Sequence, residues 1–207
     1  MIAQAISQFE NDGRWPPQCC VPAFVYGGLS QLGAKINAPL VLPSFLGVRV
    51  GPQDSNPLGL PVARMNETTG ITASAATIAI ATVLAGIDGN FGFRHLPFSK
   101  IEFGLYEDVL RHALDRGVVV GVGVKWSELR TSGSDESPLH LLRVTSFDEG
   151  VLTLFDDSHV LEVPRFQQDW RNVERAILAA GDGFWLLGNS TNLHVPHAPI
   201  FPCAAAS

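Results

Sequence analysis

The hydrophobic pattern changes period near residue 118, and that switch constrains the fold more than any other feature of the chain. Before it, apolar residues recur three and four apart, as on a helix face; after it they gather in short runs, as in strands. Val21, Phe24, Val25, Leu29 and Leu32 predict one helix face, with Gly33 as its stop. Pro22 fits only a first turn, so this helix must begin at about Cys19 to Val21. Thr72 to Leu84 predicts a second helix, almost wholly apolar and therefore buried. Leu105, Val109, Leu110 and Ala113 mark a third, closed by Gly117. The strand-like runs are Val118–Val124, Leu141–Phe147 and Val151–Phe155, the last two joined by a turn at Asp148-Glu149-Gly150. Val160–Val163 is a weaker strand, Asn172–Ala180 a helix and Gly183–Leu187 a final strand. Helices first and strands later predict an α+β domain of two packed layers.

One domain over residues 1–191 is the expectation for 207 residues, with 192–207 as a Pro/Ala-rich tail in which His194 and His197 are solvated. Residues 34–70, rich in Pro, Gly and Asn, read as irregular surface structure with one strand-like stretch, Phe45–Val50. The chain is 46% hydrophobic and 16% charged, which excludes a disordered protein. With net charge −6 and no basic cluster, a nucleic-acid partner is not expected. The apolar run Ile71–Ile87 is shorter than the ~20 residues needed to span a bilayer and is interrupted by hydroxyls, so a core helix is expected and no membrane association. Cys19 and Cys20 are neighbours and Cys203 lies in the tail, which predicts reduced thiols and a cytoplasmic setting. Adjacent cysteines lack zinc-site spacing, so neither metal nor cofactor is expected.

Chemistry concentrates on Cys20, His140 and Asp156. A thiolate is stabilised at a helix N-terminus and by an imidazolium, and Pro22 places Cys20 at such a start. His140 begins one strand of the hairpin and Asp156 ends its partner, and those two places are neighbours in an antiparallel pair. Cys19 is the alternative nucleophile if the helix starts one residue earlier. Asp157 competes with Asp156, but Asp156 continues the inward alternation of Leu152 and Leu154. The polar loop Ser127–Leu139 leads into His140 and borders any cleft, with a surface loop as one reading and a substrate lid as the other.

Cys20-Val21-Pro22-Ala23, the strand Val118–Val124 after Arg116-Gly117, His140-Leu141-Leu142-Arg143-Val144-Thr145-Ser146-Phe147-Asp148, Leu154-Phe155-Asp156 and then Phe166 and Trp170 together resemble papain-like cysteine peptidases of the bacteriocin leader-processing type. The resemblance covers residues 18 to 187 and rests on order and spacing, including the sixteen residues from His140 to Asp156. It implies a papain-like fold, with the nucleophile helix packed on an antiparallel sheet from the C-terminal half. It implies Cys20 as nucleophile, His140 as general base and then acid, Asp156 as orienter, and a peptide or other acyl or amide substrate. Val21 stands where the family has Gly. The family's upstream oxyanion Gln is absent from Arg14 and Trp15, and Gln18 is the nearest substitute. A peptidase, amidase or acyltransferase is therefore the leading expectation, and a papain-fold domain that only binds a peptide or small ligand is the alternative.

Overall fold

Val119–Lys125 is apolar at nearly every position, and such a run needs cover on both faces. The structure, a computed structural model that describes residues 20–34, 73–129, 139–158 and 165–194, provides that cover. In chain order the elements are α1 (Cys20–Gln31), α2 (Ala73–Ile87), β1 (Phe91–Pro97), a 3-10 turn (Phe98–Lys100), α3 (Tyr106–Asp115), β2 (Val119–Lys125), the single turn α4 (Trp126–Leu129), β3 (Leu139–Asp148), β4 (Val151–Phe155), β5 (Arg165–Asp169), α5 (Trp170–Ala180) and β6 (Gly183–Asn189). The six strands form one sheet in the order β1-β6-β2-β3-β4-β5, and every neighbouring pair is antiparallel.

Two cores lie on opposite faces of this sheet. Val120, Val122, Val124, Leu142, Val144, Phe184 and Leu186 pack with Val109, Leu110 and Ala113 of α3 and Val173, Ala176 and Ile177 of α5. The alternate residues Val119, Leu141, Trp185 and Leu187 pack with Phe24, Val25 and Leu29 of α1 and Ala76, Ile80 and Leu84 of α2. The fold is α+β as expected, but the sheet is sandwiched between helices instead of forming one of two layers. The edge strand β1 also comes from residues before the period switch, so the sheet is not confined to the C-terminal half.

Local chemistry explains most element ends. Helix α1 begins at Cys20, with Pro22 in its first turn. Asp169 accepts a hydrogen bond from the Arg171 N–H at 2.8 Å, so α5 starts at Trp170, two residues before the expected Asn172. Glu149 and Gly150 both have positive φ, the conformation of a two-residue primed turn, and they close the expected hairpin β3–β4. That hairpin carries a register shift between Val144 and Ser146, where Thr145 is the extra residue.

Strands β1 and β5 were not legible. Arg94, His95 and Pro97 dilute the first, and the second reads Arg-Phe-Gln-Gln-Asp. Both are edge strands, where one-sided pairing tolerates polar residues. Helix α2 departs from its expected burial: Ile78 is 74% exposed, because an all-apolar pattern cannot reveal which face meets the sheet. Its Thr77 and Thr82 hydroxyls bond back to the carbonyls of Ala73 and Ile78, which satisfies them within the helix. No helix among the described residues is long and apolar enough to cross a membrane. Leu193 is buried, and Arg116 donates to the carbonyl of Thr191, tying residues 191–194 to the end of α3. His194 is exposed. The expected strands at Phe45–Val50 and Val160–Val163 lie outside the described residues, as does His197.

Candidate functional site

The start of β3, the end of β4 and the end of β2 lie together at one end of the sheet. Val124 faces His140 across the β2–β3 ladder, and Arg143 faces Phe155 across β3–β4. His140 is the second residue of β3 and Asp156 is the first residue past β4. Their side chains meet, with His140 Nε2 3.1 Å from Asp156 Oδ1. An ionised carboxylate only accepts, so Nε2–H is the donor and the other ring nitrogen is left for a second partner. Cys20 lies against the same ring, close enough to help raise its pKa. The structure therefore brings together all three residues singled out in the sequence. Cys19 and Gln18 lie outside the described residues, as does 130–138, most of the polar loop.

Helix α1 delivers the thiol because it sits close on the sheet. A Cβ at Gly28 would stand 2.7 Å from Leu187 Cδ2, so a larger residue there would press on the side chains of Leu187 and Val119. At its other end Arg143 of β3 grips Asp157 with two bonds of 2.8 Å and donates to Gln31 Oε1 of α1 at 2.6 Å. Consecutive aspartates thus face opposite ways: Asp156 holds the imidazole and Asp157 holds the arginine that pins α1. Alternation predicted Asp156 for the first role; the clamp gave no sequence signal, since Gln31 and Arg143 are 112 residues apart.

Electrostatics follow from this packing. Burial alone would pull the His140 pKa down. The hydrogen bonds to Asp156 and Cys20, with the negative charges that both can carry, outweigh it and raise the value to about 10. An imidazolium at neutral pH then donates to the carboxylate and stands beside the thiol. Burial of Asp156, fully inaccessible, would raise its pKa. The hydrogen bond and positive charge of His140, with the Ser158 O–H and N–H bonds to Oδ1, lower it below the usual carboxylate range instead. Trp126 sets its ring against His140 at 5.3 Å between centroids and leans on Phe166, adding an apolar wall. Ser158 and Trp126 were missed in the sequence; a Ser two residues after an Asp was the available signal for the first.

A second histidine–aspartate pair occupies the same end of the sheet. His95 Nε2 lies 2.6 Å from Asp182 Oδ1, and Asp182 also accepts from the Gly183 N–H and Trp185 Nε1. A lone His in a diluted strand and an Asp 87 residues away gave no warning of it. Among the described residues no group of three His, Cys, Asp or Glu side chains is placed to hold a metal ion.

Neither the protein-family models nor the curated proteins contain a match to this chain.

Proposed function

We propose that this chain is a papain-like thiol enzyme that acts on a peptide, amide or other acyl carbonyl through an acyl-enzyme on Cys20. The single observation carrying the proposal is one imidazole shared between a thiol at a helix start and a buried carboxylate. In this reading the Cys20 thiolate attacks the carbonyl carbon, and the His140 imidazolium hands its proton to the leaving group. When water is the incoming nucleophile, neutral His140 draws its proton as the carbon–sulfur bond breaks. Asp156 keeps Nε2 protonated and so aims the other nitrogen at the sulfur. The tetrahedral oxyanion forms beside the first turn of α1, where backbone N–H groups lack helical partners, and Cys20's own amide is among them.

The competing reading is a domain of the same fold that binds a peptide or small ligand without turning it over. The absence of a Gln at Arg14 or Trp15 favours it. Iodoacetamide mapping and acylation by p-nitrophenyl acetate separate the two. The enzyme reading expects Cys20 to react well ahead of Cys203. It also expects Cys20→Ala or His140→Ala to abolish acylation, a loss of roughly 10³-fold or more. Labelling of Cys20 no faster than Cys203, with alanine variants that behave like wild type, sinks it.

A further inference from the structure

His95 and Asp182 are not used by the chemistry above, yet they stand beside it. The β2–β6 ladder sets Val122 against Phe184, so the start of β6 lies next to the end of β2 and hence near His140. His95 faces Trp185, Trp185 faces Gly121, and Gly121 lies under Phe24, so the pair is on the face that α1 covers. Along β2 the helix places Gly28 over Val119 and Phe24 over Gly121. One turn of helix rises about 5.4 Å and two strand residues about 6.6 Å, so the next turn brings Cys20 to the level of Gly123. Asp182 occupies the space over Gly123, where a Cβ would collide with its Oδ2.

The pair is also built to present a nitrogen. Gly183 N–H and Trp185 Nε1 already hold the Asp182 carboxylate, so the carboxylate orients His95 more than His95 satisfies the carboxylate. His95 gives Nε2 to Asp182, no hydrogen bond reaches Nδ1 among the described residues, and the His95 and Asp182 side chains remain 15% and 18% exposed. A neutral imidazole that donates through Nε2 carries a lone pair on Nδ1. His140, in contrast, has Cys20 as well as Asp156 against its ring.

We propose that His95, oriented by Asp182, seats the acyl acceptor of this site, an amine or alcohol, and takes its proton during transfer. The assignment rests on the acyl-enzyme reading and narrows it to acyl transfer. The acceptor's N or O bonds to the thioester carbonyl carbon while its proton passes to His95 Nδ1. The carbon–sulfur bond breaks, and the electron pair leaves on Cys20 as a thiolate. His95 then gives the proton to water, and His140 regains one from water to restore the resting pair. No oxidant or reductant is involved.

The test acetylates Cys20 with p-nitrophenyl acetate and follows loss of the acetyl group by intact-protein mass spectrometry as ethanolamine is added. In the wild-type chain the ethanolamine-driven rate saturates, as a seated acceptor requires. In His95→Gln, which keeps a donor for Asp182, the ratio of ethanolamine-driven deacylation to acylation falls on the order of 10²-fold, the scale of a lost general base. Asp182→Asn lowers the same ratio, and added imidazole partly restores it in His95→Ala. A strictly linear dependence on ethanolamine in the wild-type chain overturns the assignment whether or not the variants fold. An unchanged ratio in folded His95→Gln does so as well. If wild-type Cys20 never carries acetyl, the acyl-enzyme reading falls too; if it does, only the role of His95 is lost.

Discussion

Two histidine–aspartate pairs lie at one end of the sheet, and bond length alone does not tell their surroundings apart. The shorter contact, 2.6 Å, belongs to His95–Asp182, while His140–Asp156 spans 3.1 Å. They differ in what surrounds the acid and in what sits on the second ring nitrogen. Asp156 is sealed from solvent and pinned by Ser158, whereas Asp182 stays partly open. His140 also has Cys20 against its ring, whereas no hydrogen bond reaches the second nitrogen of His95 among the described residues. A carboxylate can orient any imidazole. The group on the far side of the ring decides which proton the imidazole handles.

Exchanging the acids one at a time gives the largest expected contrast. Asp156→Asn permits the wrong tautomer of His140 and should slow acylation by p-nitrophenyl acetate roughly 10³–10⁴-fold, with Asp182→Asn well behind it in a stopped-flow burst. Equal losses would erase the distinction between the pairs.

The same difference has a pH signature. Ring-nitrogen NMR should find His140 protonated through neutral pH and titrating near pH 10. Asp156→Asn, which removes a charge that raises the value, should shift the titration to lower pH. Because the folded value lies above the unfolded one of about 6.5, the contribution of His140 to stability is fully present below pH 6.5 and is lost as pH rises through about 10. The stability gap between wild type and His140→Gln in urea melts should therefore narrow on that rise, and a gap that widens contradicts the assignment.

The clamp behind the site is expected to matter for stability. Asp157→Ala leaves Arg143 in a mostly buried place without its carboxylate, with Gln31 and the Phe155 ring beside it, and removal of one partner from such a pair typically costs about 3–5 kcal/mol. Chemical denaturation measures this directly. A cost under about 1 kcal/mol would class the contact with exposed surface pairs. The smallest effect is expected at Gly123→Ala. Its methyl would displace Asp182, with overpacking worth about 1–3 kcal/mol, and the second pair should suffer before the first.

How much of this was legible follows from range. Pro22 positioned Cys20, and the turn at Asp148-Glu149-Gly150 brought His140 near Asp156, because both inferences span few residues and use steric rules. The α+β class followed from the change in period. The second face of the sheet did not, since β1 is a diluted edge strand and the exposure of Ile78 depends on packing that periodicity does not encode. Arg143 with Gln31, and His95 with Asp182, are encounters across 112 and 87 residues that only the assembled sheet creates.

The register shift at Thr145 has a consequence for which aspartate does what. Side chains alternate along a strand, so the pairing of β3 with β4 has a phase, and one unmatched residue inverts it. Counting back from the turn without Thr145 as a surplus, Arg143 would stand opposite Asp156, and Asp157 would share a face with His140. With the surplus, Arg143 stands opposite Phe155, and Asp156 falls on the side of His140. The chain holds two adjacent, interchangeable carboxylates. A single odd residue eleven positions earlier acts as the parity bit that tells them apart.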